Sequence, residues 1–301
     1  MVESTSQDAI HRSFYYHADA SAIGGSIHRP FSGFVPSQTS ISLPIVGGFQ
    51  EKQRRGRKWK NIVSYTSEST HVSGSLRDET GAWTTQVSAT ITGLNILEVI
   101  TAEKVVAQLS VEYDPNGGIA SISTVGSQFI DLRIGGNPID PVIRHDLFSE
   151  HDGNPAAGSQ TNTANNTWPR QQVFLNKVHE QFGAAKEGYR DTRPNGGPLQ
   201  NRFQHWMDHH FHGHDSRGLL NDRDYIACSL IDQLPNLPDR FPHALCGNGI
   251  YIPDFGSVYF GELFVHHHQV RLAMIRAQLG SPVGGAISSN VVSANGVPDG
   301  P

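Results

Sequence analysis

The sequence is short of cysteine, of positive charge and of long apolar runs. Cys228 and Cys246 are its two cysteines. They cannot build a disulfide framework, and they lack the C-x-x-C spacing of zinc or redox sites. Two separate buried thiols are expected, because free cysteine packs as a small hydrophobe. Lys and Arg number 23 against 28 Asp and Glu, a net charge of −5, which argues against a generally basic nucleic-acid binder. No apolar run approaches the roughly 20 residues that cross a bilayer as a helix, so no membrane span is expected. Residues 1–25 hold no basic region followed by an apolar one. No signal peptide is visible, Met1 fits an unprocessed start, and a cytoplasmic location is the default expectation. Neither a G-x-S-x-G elbow nor a P-loop occurs. Asp254-Phe255-Gly256 shares three letters with kinases, but no Gly-rich or catalytic loop accompanies it, and it reads as a turn between strands. Asn165-Asn166-Thr167 is a lone glycosylation triplet.

What the chain does hold is turn chemistry and period-two alternation. Its 301 residues include 31 Gly and 17 Pro, a composition suited to short strands joined by many turns. Val105, Ala107, Leu109, Val111 and Tyr113 alternate with mostly polar residues, as do Val87, Ala89 and Ile91, and then Ile130, Leu132 and Ile134. Asp114-Pro115-Asn116-Gly117-Gly118 supplies a hairpin turn after the first of these runs. Ser13–Ala20 predicts a strand ending in a turn at Gly24-Gly25. Tyr225–Ile231 and Gly249–Pro253 predict two more. Val258–Val265 and Val270–Leu279 predict a hairpin closed by His266-His267-His268-Gln269. The tail from Ser281 reads as a surface extension.

Between the β regions the period changes. Phe174, Val178 and Phe182 lie four apart and predict an amphipathic helix over about 169–183. Leu199, Phe203, Trp206, Met207 and Phe211 share one face of a second helix. The expected fold is therefore mainly β, an antiparallel sandwich or barrel-like domain with an inserted α-helical hairpin. Residues 1–148 form its N-terminal β region and 149–217 a polar loop with the hairpin. Residues 218–301 form a C-terminal β region completing the same domain. The hairpin carries more apolar surface than two helices can bury alone, so it is expected to pack on its own β domain or on a neighbouring subunit. A homo-oligomer is the leading expectation.

Ala89–Val105 and Phe129–Ile139 resemble segments of the choice-of-anchor P family of bacterial surface proteins. The resemblance covers about a quarter of the chain and includes no catalytic motif. It implies a secreted β-rich module at the cell surface or outside the cell. The helical insert and the missing signal peptide depart from that pattern.

Chemistry concentrates in histidine. Five of the 16 histidines fall at His205, His209, His210, His212 and His214, and three more at His266, His267 and His268. At about 100° per residue, His205, His209 and His212 occupy an arc of roughly 60° opposite Phe203, Trp206 and Met207. Imidazoles four apart on a helix can converge on one ion. His205, His209 and His212, with His266 or His268 as a distant ligand, are the candidate site for a divalent transition metal such as zinc or copper. A solvated, titrating face is the plainer reading of the helical cluster. Strand alternation would place His266 and His268 on one side and His267 on the other. The basic run Arg54-Arg55-Gly56-Arg57-Lys58-Trp59-Lys60 reads as a solvated loop or a patch for an acidic neighbour. Nucleic acid is disfavoured by the net charge. The leading reading is a structural or binding protein that self-associates. The alternatives are a metal-dependent hydrolase or oxidoreductase using the histidines, and a carbohydrate-binding module with Trp59, Trp83 or Trp168 stacking on sugars.

Overall fold

The computed structural model describes residues 14–77, 81–114, 119–149, 171–188, 190–191 and 226–298. In chain order the first strands are β1 (Phe14–Arg29), β2 (Gly33–Val35), β3 (Ile41–Ser42), β4 (Gly48–Arg55), β5 (Lys58–Trp59), β6 (Val63–Ser64), β7 (Ser67–Leu76), β8 (Trp83–Ile96), β9 (Ile100–Tyr113) and β10 (Ile119–Ser123). There follow β11 (Gln128–Ile130), β12 (Arg133–Ile134), β13 (Asn137–Pro138), β14 (Arg190–Asp191), β15 (Ile226–Ser229), β16 (Ala244–Cys246), β17 (Gly249–Ile252), β18 (Gly256–Val265), β19 (Gln269–Leu279) and β20 (Gly284–Pro298). One α-helix, α1 (Gln172–Glu187), is described, with a short 3-10 helix at His145–Phe148.

These strands make two antiparallel sheets, neither closed into a barrel. The first runs β14-β16-β17-β18-β19-β20-β1-β2, with β15 on β18 and β3 on β1. The second centres on β4-β7-β8-β9, with β5–β6 beside β8 and β10, β11 and β12 along β9. The sheets pack face to face, β1 and β20 against β7, β8 and β9. The alternation read from sequence fills this interface: Val87, Ala89 and Ile91 of β8 and Val105, Ala107, Leu109, Val111 and Tyr113 of β9 are all buried. Each large side chain so buried contributes about 1.5–3 kcal/mol.

Three expectations are corrected. Gly24-Gly25 is no turn but part of β1. A side chain at Gly25 would bring its Cβ within 2.3 Å of the Ala286 carbonyl oxygen of β20, so glycine serves close strand approach there. The tail is no surface extension: β20 lies between β19 and β1 in the middle of the first sheet. The basic run is partly strand, since Arg54 and Arg55 end β4.

The helical hairpin is not seen. The described α-helix is α1; the second predicted helix lies outside the described residues. Phe174 and Val178 are fully buried, and the Phe174 ring stacks on Phe148 at 5.5 Å. Gln181 donates to the Ser229 carbonyl and to Asp232, each at 2.8 Å, and accepts from Ser229 N at 2.9 Å. The apolar face of α1 is thus covered by its own β domain. The argument from that face to a neighbouring subunit falls.

A crease crosses four strands of the first sheet. The ladders skip Ala22 of β1, Asn290 of β20, Met274 of β19 and Gly261 of β18, which stand side by side. Inward residues change parity there: Tyr16, Ala18 and Ala20 give way to Ile23 and Ile27 along β1, and Val270 and Leu272 to Ile275 and Ala277 along β19. Asn290 and Gly261 take positive φ, +53° and +64°. That conformation turns the Asn290 side chain across the sandwich. Its amide donates to the Ala89 carbonyl of β8 at 2.7 Å and the Val105 carbonyl of β9 at 3.0 Å. Ser289 Oγ donates to Asn290 Oδ1. Replacing Asn290 with Ala leaves two buried carbonyls without this donor and should cost ~2–4 kcal/mol, read as a lower urea midpoint. An unchanged midpoint would show that the two bonds contribute nothing to stability.

Candidate functional site

One end of the sandwich gathers the histidine turn, an aromatic cluster and an apolar rim. Val265 pairs with Val270, and His266 N donates to the Gln269 carbonyl at 2.8 Å, closing the β18–β19 hairpin as read from sequence. The expected separation of His267 does not hold. Its ring centre lies 5.6 Å from that of His266 and 6.4 Å from that of His268, and the last two are 6.3 Å apart. The three residues occupy a turn, where strand alternation no longer directs side chains. Gly296 N at 3.2 Å and Tyr113 OH at 3.5 Å both approach the His268 carbonyl, fixing the turn to β20 and to β9 of the other sheet.

His268 Nδ1 is buried without a hydrogen-bond partner, and so is Asn295 Oδ1 on the adjoining strand. Burial, then charge on His266 and His267, holds the His268 imidazole below its ordinary value of 6.5. Its neutral form, the one that ligates metal, is therefore favoured. Among the described residues, no three His, Cys, Asp or Glu side chains are placed to share a metal ion. His205, His209 and His212 lie outside the described residues, so the structure brings together only the His266–His268 half of the candidate site.

Behind the turn, Phe14 stacks on Trp83 at 4.8 Å and meets Tyr16 and Tyr113 edge-on or tilted at 4.7 and 5.0 Å. Trp83 is buried in this cluster and has no face to offer a sugar. Trp59 is half-buried against Phe31, and Trp168 lies outside the described residues. At the rim, Tyr15, Ile45, Val46, Phe49 and Leu76 are 44%, 60%, 84%, 63% and 51% exposed. Tyr16 N donates to the Ile45 carbonyl, and Gly48 pairs with Gly74, so these five stand at the same end. Sequence reading missed the rim, although Ile45-Val46 before Gly47-Gly48-Phe49 is an apolar group inside turn residues.

The two thiols are free and buried, as expected. Burial pushes both up, Cys246 to about 12, so neither is a nucleophile at neutral pH. They line a cavity of about 50 Å³ under α1 with Gln181, Asp232, Asn248 and Glu262, room for about one water. Glu262 is paired there with Arg276 through two 2.6 Å hydrogen bonds.

The model of a family described as a domain of unknown function, DUF8256, matches residues 14–266. The chain belongs to the DUF8256 family. No curated protein and no solved structure matches it. In this DUF8256 chain the matched span opens at the first residue of β1 and closes in the histidine turn, so it takes in the apolar rim and His266.

The lowered His268 value sets a pH dependence. The folded state binds its proton less readily than the unfolded chain. The stability this contributes is full above about pH 6.5 and is lost as pH falls through the lowered value. His268→Asn should flatten that acid limb when urea midpoints are compared between about pH 7.5 and 5. Identical limbs in the two proteins would remove His268 as its source.

Proposed function

We propose that this DUF8256 protein is a structural or binding β-sandwich that self-associates through the end bearing the aromatic cluster and histidine turn. The observation that carries this reading is the rim of Tyr15, Ile45, Val46, Phe49 and Leu76. Scattered apolar residues are ordinary on a protein surface, but five of them gathered at one end fit an association site. The rim is backed by rigid packing of Phe14, Tyr16 and Trp83, so ordering it on contact costs little side-chain entropy. The segment resembling choice-of-anchor P proteins includes the turn of the β8–β9 hairpin, and a cell-surface setting belongs to the same reading. Light scattering across a wide concentration range tests it. The wild-type chain should be a dimer or larger, and Val46→Ser with Phe49→Ser should shift it to monomer. A wild-type monomer at every concentration would end the proposal.

A second reading rests on the histidine turn. Three adjoining imidazoles, one held neutral and carrying a buried unpaired nitrogen, support a site completed by His205, His209 and His212 for zinc or copper. Metal content of untagged protein should be stoichiometric, should fall as pH drops through about 6.5, and should be lost in His205→Ala with His209→Ala. Unchanged content in the double variant would leave the turn as a titrating surface. A redox metal at full occupancy would instead favour the oxidoreductase alternative.

A further inference from the structure

The opposite end of β4 carries chemistry that the rim and the histidines do not use. β4 pairs with β7 alone among the described strands, so its other side offers unpaired main-chain N–H and C=O groups. Every residue of β4 is exposed except Lys52, which is half-buried. Such an edge is a template for an added strand unless something blunts it. Six basic residues lie here with no acidic one between them: Lys52, Arg54, Arg55, Arg57, Lys58 and Lys60. The chain as a whole is nevertheless net negative. None of the six makes an ion pair among the described residues; Lys60 Nζ sits instead 3.8 Å over the Phe31 ring. The nearest carboxyl on the neighbouring strand, Glu68 opposite Arg54, is turned into the core at 1% exposure. Burial raises its pKa, against the lowering effect of the Lys52 and Arg54 charges.

We propose that the β4 edge and the basic turn after it dock an extended acidic segment of a partner polypeptide as an added strand. Main-chain hydrogen bonds along β4 would give affinity, and carboxylates on alternate residues would meet Lys52 and Arg54 on one face and Arg55 on the other. The charge also selects against the simplest competitor. A second copy of β4 placed on this edge sets Lys and Arg against Lys and Arg, which like-charge repulsion disfavours. Nucleic acids and sulfated sugars match the charge but cannot continue a strand ladder, so the open backbone favours a polypeptide. Phe34, 79% exposed on β2, adds an apolar anchor beside the site, since Gly33 packs against the Trp59 ring.

The test uses the full chain and a labelled peptide alternating Glu with Thr, followed by fluorescence anisotropy at low and at physiological salt. Binding is expected, weakened by salt, and reduced roughly tenfold in Arg54→Ser with Arg55→Ser. Both positions are exposed, so the thermal midpoint of the variant should match the wild type. Methylating alternate peptide nitrogens should abolish binding, because the ladder donors are gone. The proposal is overturned if the methylated peptide or an oligonucleotide of equal charge binds as well as the acidic peptide, since the surface would then read charge alone. It is equally overturned if a Gln–Thr peptide binds as tightly, or if the acidic peptide does not bind at low salt.

Discussion

Apolar packing between two sheets has no direction of its own. Many offsets of one sheet over the other would bury similar area. The Asn290 carboxamide removes that freedom, because it reaches two carbonyls, Ala89 and Val105, on adjacent strands of the opposite sheet. A buried amide without such partners costs several kcal/mol, so offsets that miss both carbonyls are penalised. The left-handed backbone at Asn290 is what aims the side chain, and asparagine is among the few residues that tolerate it. The placement of β1 and β20 over β8 and β9 follows from this bond.

Much of the fold was legible from period-two patterning where strands are regular. β9 shows it best, with Val105 to Tyr113 buried on every second residue. The β18–β19 hairpin was legible because two apolar runs flank a polar turn. β20 was not. Its small and polar residues resemble a tail, and Gly285 serves a close approach to β1. Gly25 and Gly285 each lie where a side chain would strike a backbone oxygen, at 2.3 Å. The crease hides β20 further, since a change of parity at Asn290 erases the alternation by which strands are found. For the site, the histidine turn could be located but not the contact of its three rings, which depends on turn geometry. The rim escaped because exposure of Ile45 and Val46 is a tertiary property.

The sandwich separates its chemistry by end. One pole is apolar and imidazole-bearing. The other is basic, with Lys60 held over the Phe31 and Trp59 rings. β4 connects them, from the glycines beside the rim to Arg55 at the basic turn.

The crease bears on how the first sheet assembles. In a regular antiparallel sheet, sliding one strand by two residues returns every side chain to its original face, so slipped pairings compete with the native one. Here such a slide would set the parity change of one strand against the unbroken stretch of its neighbour. Apolar residues would then point outward on one side of the fault. Four strands that each carry the same interruption at the same level can be joined in only one alignment, as toothed parts mesh. The irregularity that hid β20 from sequence reading thus selects the mutual alignment of these strands during folding.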